Sequence, residues 1–151
     1  MKKLSAGRLI NELSRAAHVY FQHEFKKYRI GHAQVRTLFY VAQNEGKTQK
    51  ELAEYLNLDK SSITSQLQLL ERNGYIKRKA SDEDARKQVI FVTERTRKIL
   101  PEMQHVLESW TETLLAGFDE EERKQVFRTL IKMSSNAKSK LDEIYSNHNQ
   151  I

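Results

Sequence analysis

A mainly α-helical fold carrying one small β-hairpin is what this sequence predicts, and three features of the chain predict it. Apolar residues recur at three- and four-residue spacing along most of its 151 residues. Only one proline and five glycines interrupt them, so the helices should be long. The period changes in a single region, where Tyr75-Ile76-Lys77-Arg78-Lys79 and Gln88-Val89-Ile90-Phe91-Val92 read as strands around a charged stretch. This length suffices for one domain with a sizeable core and excludes a large multidomain enzyme.

The elements follow in order. From about Ser5 to Lys27, Leu9, Leu13, Ala16 and Tyr20 repeat at helical spacing with Ile10, Ala17 and Phe21 beside them, giving a first helix with a broad apolar surface. A second helix spans about His32 to Asn44, with Gly46 placed to end it. Thr48-Gln49-Lys50-Glu51 fits a reciprocal cap, in which the Thr48 hydroxyl takes the Glu51 amide and the Glu51 carboxylate reaches back to the Thr48 amide. Asn57 tolerates the left-handed conformation that closes this third helix, and Asp59 caps a fourth that Gly74 stops. After the hairpin, Ile99, Met103, Val106, Trp110 and Leu114 mark a fifth helix from about Glu94, with Pro101 in its first turns or kinking it. Asp119 and the acids after it open a sixth, whose stripe Val126, Leu130, Met133, Ala137, Leu141, Ile144 is heptad-like and wants a partner helix.

Composition narrows the function. There is no cysteine, which excludes disulfides, thiolate metal sites and thiol switches and suits a reducing cytosol. Met1-Lys2-Lys3-Leu4 is followed by Ser5, Ala6, Gly7 and Arg8 rather than an apolar run, and no window approaches a membrane span, so a cytoplasmic location is expected. The net charge is +6, distributed as +5 over residues 1–46, zero over 47–58, +4 over 59–98 and −3 over 99–151. A basic front and an acidic tail suit a nucleic-acid surface joined to a part facing elsewhere, although solvated helix faces would give the same numbers. No phosphate loop, Cys nucleophile or H-E-x-x-H pattern is present, and no two histidines stand three or four apart. Neither an enzyme nor a metal or other cofactor is expected.

Two short helices joined by a tight turn and followed by a basic hairpin describe a winged helix-turn-helix. On the fourth helix, Ile63, Leu67 and Leu70 fall within about 60° of one another. Ser61, Ser65, Gln68 and Arg72 lie opposite, with Ser62 and Thr64 flanking. That outward face has no carboxylate: it offers hydroxyls and an amide for base edges, with Lys60 and Arg72 for phosphates. An ordinary amphipathic helix would look similar, and it is the position between tight turn and hairpin that favours a reading helix. Leu69 fits neither face and is expected under the hairpin. At the tip, Arg86 and Lys87 could enter a minor groove, with Asp84 holding the Arg86 guanidinium in a bidentate pair. A solvated loop of scattered charges is the alternative.

Gln34, the run Thr48 to Ala53, Leu58 to Thr64, Leu70 to Ile76, Asp84-Ala85-Arg86 and Val92-Thr93-Glu94 together resemble the MarR family of winged-helix transcriptional regulators, from about residue 5 to 140. The resemblance implies one continuous domain, with 31–98 as the DNA-binding region and 1–30 with 99–151 as helical dimerisation region. It implies a homodimer on a pseudo-palindromic double-stranded DNA operator, acting as a repressor released by a small aromatic or lipophilic effector. It maps Ser61, Ser62, Thr64, Ser65 and Gln68 to the recognition helix, Arg86 to the minor-groove arginine and Asp84 to its partner. Where such proteins usually carry a glycine, this chain has Thr96, so entry into the fifth helix is expected to differ. Tyr20, Phe21, Phe39, Tyr40 and Trp110 could line an effector pocket, though core packing accounts for each. A constitutive winged-helix DNA-binding or architectural, protein-recruiting factor without effector is the alternative.

Overall fold

The computed structural model describes residues 5–148; the Met1–Leu4 stretch weighed above as a leader lies outside them. Six helices and three strands run in the order α1 (Ala6–Phe25), α2 (His32–Gln43), β1 (Lys47–Thr48), α3 (Gln49–Leu56), α4 (Lys60–Arg72), β2 (Ile76–Ala80), β3 (Gln88–Val92), α5 (Glu94–Leu114) and α6 (Glu120–His148), with a 3-10 turn at Lys26–Tyr28. The chain forms two compact units, one ending at Trp110 and the other beginning at Thr111.

Local chemistry explains most boundaries in the first unit. Ser5 accepts the Arg8 amide to start α1. The Gln34 side chain reaches back to the Gly31 amide at 3.0 Å to start α2. The cap expected at Thr48 forms both ways, with Glu51 N–H to the Thr48 hydroxyl at 3.3 Å and Thr48 N–H to the Glu51 carboxylate at 2.8 Å. Asn57 takes φ 52° and Gly74 φ 74°, closing α3 and α4 in the left-handed region. Asp59 accepts the Ser62 amide at 2.8 Å.

Long-range packing then fixes the unit. Phe25, Leu38, Leu52, Leu67, Tyr75 and Met103 are among its fully buried side chains and draw α1 to α5 and the sheet onto one core. Buried Thr37 donates to Gln66 at 2.6 Å, and Arg36 donates to the Leu56 carbonyl at the end of α3. The sheet order is β1-β3-β2, all antiparallel, with Thr48 opposite Val89 and Arg78 opposite Ile90. Strand β1 was not expected from the sequence. Leu69, expected under the hairpin, instead packs against the core and lines a surface hollow with His18, Gln22 and Ile30.

Entry into α5 is fixed by Thr96. Thr96 is buried, its hydroxyl donates to the Tyr75 carbonyl at 2.5 Å, and Thr93 N–H meets the same oxygen at 3.0 Å. Helix α5 runs without interruption through Pro101. In the second unit, Asp119 and Glu122 cap α6 reciprocally, at 2.8 and 2.9 Å. Arg123 pins the preceding turn by pairing with Glu112 and donating to the Leu115 carbonyl.

Candidate nucleic-acid interface

Helix α4 is held from behind and open in front. Ile63, Leu67 and Leu70 are buried, whereas Lys60, Ser61, Ser65, Gln68 and Arg72 are exposed, matching the angular separation in the sequence. The first-turn geometry comes from Asp59, whose carboxyl the Ser62 backbone N–H and then its hydroxyl hold below the usual carboxylate range. Ser62 is therefore already engaged, its hydroxyl 2.8 Å from Asp59 Oδ2. Thr64 is engaged too, donating to the Lys60 carbonyl at 2.6 Å and accepting from Gln49 at 2.7 Å. The hydroxyls placed toward solvent are those of Ser61 and Ser65, with the Gln68 amide on the same face.

At the hairpin tip Arg86 and Lys87 are exposed and Asp84 is half-buried. The Asp84 carboxylate does not pair with the Arg86 guanidinium. It accepts the Arg86 backbone N–H at 3.0 Å, while the Asp84 carbonyl accepts from Lys87 N–H at 2.9 Å. These bonds make an Asx-type turn, so Asp84 shapes the tip and leaves the guanidinium unrestrained by it. The bidentate pair expected from the sequence fails because a carboxylate two residues upstream reaches the main chain first.

Three residues here were missed from the sequence. Arg78 of β2 donates through Nε to Glu71 at 3.1 Å and through a terminal nitrogen to Gln49 at 3.1 Å. Strand parity was the available signal, since Arg78 shares a face with buried Ile76 whereas Lys77 and Lys79 point away from it. Of the aromatic residues proposed to line a pocket, Phe39 packs against the core and the other four fall into two ring groups. Tyr20 stacks on Trp110 with centroids 4.9 Å apart and Phe21 meets both rings, while Tyr40 stacks on Tyr55 at 3.9 Å. Among the described residues no cluster of acids and histidines could hold a metal ion, and no helix is long and apolar enough to cross a membrane.

A capped helix pair presenting an acid-free face, followed by an antiparallel hairpin with a basic tip, defines a winged helix-turn-helix protein. Residues 30–87 match the model of the MarR family. The chain is 27% identical to the uncharacterized HTH-type transcriptional regulator YybA of Bacillus subtilis, over 85% of this chain and 86% of that protein. The crystal structure of MarR superposes with a TM-score of 0.78 at 28% identity, covering 95% of this chain and 97% of that one. A MarR family transcriptional regulator from Listeria monocytogenes, complexed with a 26mer DNA, gives 0.75 at 26% identity, with coverage of 90% and 89%. Residues 30–87 are thus MarR-like in sequence, and nearly all of the chain shares the fold of the solved MarR.

Proposed function

We propose that this protein is a homodimeric, sequence-specific DNA-binding transcriptional regulator, a repressor released by a small molecule. The observation that carries the reading is the outward face of α4, where Ser61, Ser65, Gln68 and Arg72 are exposed with no carboxylate among them, followed by the basic hairpin tip. Ser65 and Gln68 read base edges in the major groove, Lys60 and Arg72 contact phosphates, and Arg86 with Lys87 occupies the adjacent minor groove. The relative complexed with a 26mer DNA supports the DNA-binding part of this reading.

The dimer has its support in exposed apolar side chains. Leu9, Ile10 and Leu13 on α1, and Phe127, Leu130 and Leu141 on α6, are each 40% or more exposed in the single chain. A second copy covering them makes residues 1–30 and 99–151 the dimerisation region, and its two-fold axis places two α4 helices about 34 Å apart on a pseudo-palindrome. Effector release rests on the family: a ligand loosens binding only if it prefers a dimer whose helix spacing no longer matches the groove.

The test is selection of duplexes from a random pool, followed by titration. Gln68→Ala and Ser65→Ala should change the preferred bases, at about 1–3 kcal/mol for a good pair. Arg86→Ala should weaken binding on many sequences and flatten the salt dependence. Affinity insensitive to salt, or a half-site bound as tightly as the palindrome, would overturn the reading. For release, melts against phenolic and lipophilic ligands with and without the selected DNA should show each partner weakening the other by the same factor.

A further inference from the structure

A hydrogen-bonded relay runs from the middle of α4 through α3 and the hairpin and back to the end of α4. Gln49, the first residue of α3, donates to Thr64 of α4 at 2.7 Å and accepts from Arg78 of β2 at 3.1 Å. Arg78 in turn donates to Glu71 of α4 at 3.1 Å. The Thr64 hydroxyl spends its own hydrogen on the Lys60 carbonyl, so its orientation is fixed and it can only accept from Gln49. The Arg78 side chain is 24% exposed, and its planar guanidinium is fixed by two acceptors on two different helices.

We propose that Gln49 and Arg78 are positioning residues that set the angle of the hairpin against the recognition helix, so that a duplex meets helix and wing as one rigid unit. The proposal deepens the DNA-binding reading and rests on it for its consequence at DNA. Thr64 and Glu71 are seven residues apart, about 10 Å along the helix, so the Arg78 guanidinium is tied to α4 at two separated points, directly at Glu71 and through Gln49 at Thr64. Two ties fix the orientation of the guanidinium where one would let it swing. The need for this follows from leverage. Five residues of extended strand from Ile76 to the tip span about 17 Å, so a play of about 10° at the base would move the tip by about 3 Å. A displacement of that size takes an arginine out of hydrogen-bonding range of a groove.

Gln49 is neutral, so its removal separates positioning from phosphate attraction. Hydrogen exchange of the DNA-free protein is measured first. Gln49→Ala should raise exchange in peptides covering 76–92 while leaving the α1 and α2 peptides and the melting temperature near wild type. Gln49→Glu should keep more protection than Gln49→Ala, because a carboxylate still accepts from Arg78 although it cannot donate to Thr64. Binding is then read on a duplex enriched from a random pool by the wild-type protein and carried with A·T or G·C flanks. In Gln49→Ala the ratio of affinities for the two flanks should fall toward one, whereas Gln49→Glu, which keeps the Arg78 bond, should retain more of it. In an Arg86→Ala background, Gln49→Ala should add no further loss. Wild-type exchange in 76–92 together with a wild-type flank ratio in Gln49→Ala would overturn the proposal, as would equal defects in the Ala and Glu variants. If the wild-type protein enriches no duplex, the DNA-binding reading fails, and the exchange measurement still decides whether Gln49 and Arg78 hold the hairpin.

Discussion

Asp84 contributes to the hairpin through its acceptor oxygen rather than its charge, because its partner is the Arg86 main-chain N–H. Asn carries the same acceptor, so Asp84→Asn should keep the turn and, with one repulsive charge gone, bind DNA at least as tightly as wild type. Asp84→Ala should weaken binding by loosening the tip, and titration of both variants on one selected duplex checks the pair. A second prediction concerns acid. The His32 ring stacks on Phe21 at 4.1 Å, and burial, then the nearby Arg36 charge, lower its pKa below 6.5. As pH falls below 6.5 the unfolded chain takes up this proton before the folded one, so stability declines until the folded-state pKa is reached. Glu45 acts in a lower window. Its carboxylate accepts twice from Arg97 and once from Val92 N–H, and the Arg97 hydrogen bond is the main cause of a pKa below 4.5. That contribution is complete above 4.5 and is lost as pH falls through the folded-state pKa. Melting against pH should therefore fall in two stages, with His32→Gln flattening the first and Glu45→Gln the second.

At the scale of elements, the caps are the simplest stability test. Thr48→Ala should cost about 1 kcal/mol in denaturant unfolding by leaving the Glu51 amide without its cap. Such features were legible in the sequence because donor and acceptor lie within four residues, as at Thr48, Asp59 and Asp119. The buried stripe of α4 was legible for a related reason, since periodicity alone fixes which side of a helix is apolar. Strand β1 was not, because two residues carry no period and Lys47 and Thr48 become a strand only through pairing with Ile90 and Val89. Leu69 was misplaced because the angle around a helix says which way a side chain points but not which element waits there. Thr64 flanks the outward face by angle and was mapped to the recognition helix by resemblance, and only the fold reveals that Gln49, fifteen residues earlier, already holds its hydroxyl.

For the whole molecule, the apolar side chains exposed on α1 and α6 lead to a prediction about assembly. Leu130 and Leu141 are 47% and 49% exposed in the single chain, and both lie on the heptad-like stripe of α6. Leu130→Glu combined with Leu141→Glu should convert the proposed dimer to a monomer in sedimentation while the first unit keeps its helical signal. Affinity for a palindrome should then drop to that for a half-site, because two linked contacts become independent ones. The charge asymmetry fits the same division. The positive segment 59–98 contains α4 and the hairpin, and the net negative segment contains α6, which a duplex would repel.

The sheet order bears on solubility in the absence of DNA. Placing β3 in the centre puts the most apolar strand, Gln88–Val92, between two neighbours, with β1 covering Val89 and Ile90 and the Glu45 carboxylate taking the Val92 N–H. The outer strands are poor templates for another chain: β1 is only two residues long, and β2 carries Lys77, Arg78 and Lys79 in succession. Short or lysine-bearing edges discourage strand-to-strand aggregation. The cationic residues near the proposed groove-binding tip thus also keep an unoccupied wing from adding strands to itself, and mutations that neutralise β2 to tune DNA affinity would weaken that protection.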